Sequence, residues 1–107
     1  MKIGVIVGSH RTESQSAKVG RFLSEALSSK DGVSTWTLDL GKTPLPMWDE
    51  ELWSNGPQWS MLPALKSELD ACEGFVVIAP EWHGMAPATL KNFFLLWAAT
   101  GELSHKP

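Results

Sequence analysis

The sequence predicts a single α/β domain built on a parallel sheet, with its first strand at the centre. Three observations lead there. Lys2–Gly8 and Gly74–Ala79 are apolar runs of strand length with little alternation, the pattern of strands buried on both faces. Stretches at helical spacing separate the strands, in the order β-α-β-loop-α-β-α. Right-handed crossovers then put the second and third strands on either side of the first.

Each element has its own warrant. After the first strand, Ser14 or Ser16 can cap a helix in which Val19, Phe22, Leu23, Ala26 and Leu27 recur at helical spacing, and Asp31-Gly32 ends it. Val33–Leu38 is a second strand. Its Ser34, Thr35 and Thr37 suit an edge. Asp39–Ser60 is a long connection carrying Pro44, Pro46 and Pro57, and connections of that length inside a domain are usually functional or disordered. Pro63 suits the first turn of a second helix, with Leu65, Leu69 and Cys72 on one face. Gly74–Ala79 is the third strand. Ala86–Thr100 is a third helix, apolar almost all round from Phe93 to Ala99 and ended by Gly101.

Composition narrows the function. The chain has 107 residues, 43% apolar and 20% charged, which suits one domain with a core of its own. Its net charge of −3 argues against non-specific binding to nucleic acid. Cys72 is the only cysteine, so no intrachain disulfide forms. Met1-Lys2 does not open a signal peptide, and no stretch approaches the ~18 apolar residues of a membrane span. The expectation is a soluble, cytoplasmic protein without a membrane partner. Six tryptophans and no tyrosine are unusual. Trp48, Trp53 and Trp59 fall together in the long connection, where they are candidates to wall a substrate pocket.

One difficulty stands out. Phe75-Val76-Val77-Ile78-Ala79 reads as a central strand, yet nothing in the chain remains to pair with its outer edge. The expectation is the front part of a longer domain, or another chain over that edge.

Ligands of open α/β sheets sit beyond the carboxyl ends of the strands. Two such ends here carry candidate chemistry. At Gly8-Ser9-His10-Arg11-Thr12-Glu13-Ser14-Gln15-Ser16, a strand-to-helix turn aims backbone N–H groups at an anion, while serine hydroxyls and Arg11 add donors. The plainer alternative is an ordinary capped turn. At Pro80-Glu81-Trp82-His83-Gly84, Trp82 offers a face for a flat ring and Gly84 permits a positive φ. The plainer alternative is a loop whose tryptophan packs on a neighbour. An anion site beside a ring site suggests a flavin-type nucleotide. Other motifs fit worse. Gly41-Lys42-Thr43 has Trp36 where a P-loop needs glycine, and Asp39 is better read as a solvated strand end than as a ribose ligand. His10, His83, His105 and Cys72 lack metal-ligand spacing, so no metal is expected.

These segments resemble the NADPH-dependent FMN reductase family. That family's Gly-Ser-x-Arg followed by Ser or Asn is matched by Gly8-Ser9-His10-Arg11 with Ser14 and Ser16. Its Pro-Glu-Tyr-Asn-Gly-Ser-x-Pro-x-x-Leu-Lys-Asn is matched at Pro80, Glu81, Gly84, Pro87, Leu90, Lys91 and Asn92, while Trp82, His83 and Met85 depart from it. The resemblance implies a three-layer, flavodoxin-like α/β fold with strand order 2-1-3. Strands 4 and 5 and a later glycine-rich flavin loop have no counterpart here. It implies FMN, its phosphate held by Ser9, Arg11, Ser14, Gln15 and Ser16, and its ribityl chain and ring lined by Pro80, Glu81, Trp82, His83 and Gly84. It implies hydride transfer from NADPH or NADH through FMN to a small-molecule electron acceptor: a quinone, azo compound, metal oxyanion or free flavin. No side chain need act as a catalytic acid or base. A homodimer or homotetramer with the third helix in its interface is implied as well. The alternative is a non-enzymatic electron carrier, or a flavin-free module acting through its open sheet edge.

Overall fold

Strand β1 (Lys2–Val7) lies between two parallel neighbours, which explains its uninterrupted Ile and Val: Val5, Ile6 and Val7 are at most 1% exposed. The computed structural model describes residues 1–107, and its sheet has the expected order, β2 (Ser34–Asp39), β1, β3 (Gly74–Ile78). Lys2 pairs with Ser34 and Ile3 with Gly74, so both neighbours run in register alongside β1. No helix is long and apolar enough to cross a membrane.

Helix α1 (Gln15–Ser28) covers one face. It approaches closely because Gly20 has no side chain: a Cβ there would lie 2.6 Å from Val7 Cγ2. Its buried strip is Ser16, Ala17 and Gly20, not the larger apolar residues the spacing singles out. Val19 and Phe22 face outward, 47% and 69% exposed. Small residues win the contact because they let the backbone reach the sheet. Lower down, hydroxyls close the α1–β2 seam: Ser24 Oγ and Ser28 Oγ lie 2.6 and 2.9 Å from Thr35 Oγ1.

The other face is a large apolar layer. Leu69 of α2 (Leu62–Ala71) and Leu90, Phe93, Leu96 and Trp97 of α3 (Ala88–Trp97) form one buried cluster with Ile6 and Leu38 of the sheet and with Trp59. Helix α3 is shorter than the sequence suggests, since Pro87 serves as its N-cap and regular helix stops at Trp97. The long connection holds two short 3₁₀ turns, Glu50–Ser54 and Pro57–Trp59.

The outer edge of β3 is open and apolar. Val77 and, beside it on α3, Phe94 are 39% and 43% exposed. At its lower end the Phe75 amide donates to the Pro107 carbonyl at 2.7 Å.

Candidate functional site

The site is built where β1 and β3 end side by side. The Gly8 amide donates to the Ile78 carbonyl at 2.9 Å, and Thr89 Oγ1 donates to the Gly8 carbonyl at 3.3 Å. These bonds hold the start of the 9–14 loop against the base of the 80–86 loop.

The first loop is shaped by its own serines. Ser9 is 1% exposed, and its Oγ accepts from the Arg11 amide at 3.2 Å. Ser14 is the N-cap of α1, its Oγ accepting from the Ala17 amide at 3.0 Å. Each of these oxygens accepts one bond and keeps its own proton to donate. Gln15 and Ser16 supply first-turn amides that no helical carbonyl can reach. Arg11 is exposed and has no carboxylate within ion-pairing distance. Donor protons, free amides and an unpaired guanidinium at a helix N-terminus suit an anion such as a phosphate. Glu13 works against it: its exposed carboxylate sits in the same loop on a left-handed backbone, φ 53°.

The second loop is a tight hairpin. Trp82 and Met85 exchange backbone hydrogen bonds of 2.9 and 3.0 Å, and both central residues have positive φ, His83 at 52° and Gly84 at 77°. That is a type I′ turn, which favours Asn-Gly and strains His-Gly at its first position. The Glu81 carboxylate accepts from the Gly84 amide and closes the turn. Space beside Gly84 is open, since a Cβ there would meet no atom within 4 Å.

The two loop tips meet. The His10 and Trp82 rings lie edge to face, centroids 4.8 Å apart at 90°. Ser9, Arg11, Ser14, Gln15 and Ser16 therefore share one end of the sheet with Pro80, Glu81, Trp82, His83 and Gly84. The sequence reading missed His10 because histidine in a polar loop carries no signal of its own. It matched Asn92 to the family motif but gave it no role; the side chain is 3% exposed on α3. Asn92 Oδ1 accepts from the Trp48 amide at 2.6 Å and its Nδ2 donates to the Pro46 carbonyl at 2.9 Å, clamping the long connection. A lone amide among Leu90, Phe93 and Leu96 could have betrayed it, because a buried polar side chain is retained where it has partners.

The three tryptophans of the connection do not wall this site together. Trp48 packs edge-on against Trp53, centroids 5.9 Å apart. Trp53 and Trp59 line a separate cavity of about 420 Å³ with Trp97, Lys66 and Glu102, and none of the loop residues above contributes to it. Asp39 is a turn former: its Oδ1 accepts from the Gly41 amide at 2.9 Å. No group of three or more His, Cys, Asp or Glu side chains is placed to hold a metal.

Comparison with known proteins bears on this arrangement. The family model described as NADPH-dependent FMN reductase matches residues 1–107. A quinone reductase of Pseudomonas putida is 29% identical over 92 residues, which is 84% of this chain and 46% of the relative. Among solved structures, the flavoenzyme NAD(P)H:(acceptor) oxidoreductase FerB of Paracoccus denitrificans superposes with a TM-score of 0.77 at 24% identity, covering 99% of this chain and 57% of that one. An FMN-dependent NADH-azoreductase of Bacillus anthracis, solved with FMN, gives a TM-score of 0.59 at 19% identity, over 90% of this chain and 55% of that one. These likenesses support the flavodoxin-like fold. The chain spans about half the length of the curated relative it matches.

Proposed function

The chain belongs to the NADPH-dependent FMN reductase family, and we propose that its two adjoining loops hold FMN in an NAD(P)H-dependent oxidoreductase. The observation that carries this reading is the His10–Trp82 contact, which joins an anion cradle to an aromatic turn. The residues present fit the group. Ser9, Ser14 and Ser16 have hydroxyls, Gln15 an amide and Arg11 a free guanidinium for the phosphate. Pro80, Trp82, His83 and Gly84 would line the rest of the nucleotide, while Glu81 keeps the turn closed.

FMN, when bound, supplies acceptance of hydride from NADPH or NADH and its onward delivery to an acceptor. The protein's part is to bind and orient. The 9–16 loop fixes the anionic end with charge-assisted hydrogen bonds of roughly 1.5–3 kcal/mol each. The type I′ turn presents Trp82 and the backbone of His83 and Gly84 on a rigid hairpin, so little reorganisation accompanies binding. No side chain of the two loops is assigned a proton. A quinone is the acceptor class favoured by the Pseudomonas relative, and an azo compound by the Bacillus structure. A metal oxyanion or free flavin remains within the same proposal. So do a cytoplasmic location and a homodimer or homotetramer using the exposed Phe94 and Leu95 of α3.

The test is direct. Purified protein is mixed with FMN, passed through a gel-filtration column, and its visible spectrum recorded. Co-elution of yellow flavin, weakened at least tenfold in affinity by Arg11→Ala, supports the reading. Colourless protein refutes it. NADPH oxidation with a quinone present then separates an enzyme from a carrier.

A further inference from the structure

We infer that His10 is a positioning residue that couples the anion cradle to the ring site, so that an anion bound in one raises the affinity of the other. The inference rests on the FMN reading above.

The geometry isolates His10 as the link. The 9–14 loop is anchored at its ends by buried Ser9 and by the Ser14 cap, while residues 10–13 between them are exposed. The 80–86 loop is anchored at its base by the Gly8–Ile78 bond and at its tip by the turn and the Glu81 cap. Those anchors act on the backbone of the hairpin. The aromatic ring packed against the Trp82 indole is that of His10. His10 is in turn bracketed by two cradle residues: its neighbour Arg11 carries the unpaired guanidinium, and Ser9 accepts from the Arg11 amide.

An anion that engages Arg11 and the first-turn amides would further order the exposed tip of the loop, His10 included. The ordered imidazole then restricts the Trp82 indole, and a ring that uses that indole loses less conformational freedom on binding. Such coupling through ordering needs no displacement of the backbone, and it is reciprocal. Its ceiling is the worth of one edge-to-face pair, which corresponds to about a 2- to 10-fold change in affinity.

The experiment measures riboflavin, which has the ring without the phosphate. Its affinity is read by fluorescence quenching with and without saturating inorganic phosphate, at ionic strength held constant with chloride. In the wild type, phosphate should tighten riboflavin about 2- to 10-fold. In His10→Ala that ratio should fall to about one. His10→Phe, which can keep an edge-to-face contact, should restore it. A ratio of one in the wild type, or an undiminished ratio in His10→Ala, overturns the inference while leaving FMN binding intact. Failure of the wild type to bind FMN at all overturns the functional reading and this inference together.

Discussion

Replacing Asn92 with alanine should destabilise the protein by about 2 kcal/mol, and the structure says where that energy comes from. The carboxamide makes two hydrogen bonds to the backbone of the long connection, 2.6 Å to the Trp48 amide and 2.9 Å to the Pro46 carbonyl. Each such bond contributes a net ~0.5–1.5 kcal/mol, and a group left buried without a partner would cost more. The connection is not deeply buried, however: Trp48 is 42% exposed, so water can reach the freed groups. Alanine also regains a few tenths of a kcal/mol, roughly, of helix propensity in α3. The balance is close to the sum of the two bonds. For a domain of this size that lowers Tm by about 8–15 °C. Two measurements check it. Thermal unfolding gives the magnitude, and hydrogen exchange at the Trp48 amide gives the location, since that N–H should lose its protection. Asn92→Leu separates bonding from packing because it fills the site without either bond. Recovery of wild-type stability in Asn92→Leu, or a melting change of a degree or less in Asn92→Ala, would refute the reasoning.

Three further outcomes follow from particular residues. His83→Asn places the preferred residue at the first position of the type I′ turn and should stabilise the protein by about 0.5–1 kcal/mol in denaturant unfolding; a loss would mean that the His83 side chain has a contact worth more than the turn strain. Glu102 is 2% exposed; burial pushes its carboxyl up, but hydrogen bonds from Lys66 and Thr100 outweigh this and hold it below its ordinary value of 4.5. Its contribution is therefore complete above the unfolded value and lost as pH falls through the lower, folded one, so stability should drop on acidification below the ordinary carboxylate range more steeply in the wild type than in Glu102→Gln. Equal slopes would deny Glu102 that role. Cys72 is 1% exposed and burial raises its thiol, so a thiol reagent should label it at the rate of global unfolding, whereas fast labelling of the native protein would contradict the buried placement.

The fold was legible in the sequence where one physical cause dominated. Val5-Ile6-Val7 are buried by the sheet itself and Phe75–Ile78 are apolar although only partly covered, so both runs announced strands, and crossover handedness gave the order 2-1-3. Helix α1 misled because periodicity ranks residues by size, while close packing on a sheet rewards small ones. Gly20 lies against Val7, Ile78 and Val5 and Ala17 is buried, while Phe22 is left outside. At the site, the serines and Gly84 were readable from local chemistry. His10 with Trp82, and Asn92 with Trp48, join residues 72 and 44 positions apart in the chain. Such pairings depend on where loops come to rest, which no local pattern encodes.

The uncovered flank of β3 has a practical bearing on every measurement suggested above. Beyond the single rung that Pro107 supplies, its outward-facing peptide groups are free to zip onto any extended segment that drifts past, and Val77 and Phe94 make such an encounter adhesive. Titrations of this polypeptide should therefore be repeated over a range of protein concentrations, because self-association at that flank would masquerade as a change in ligand affinity.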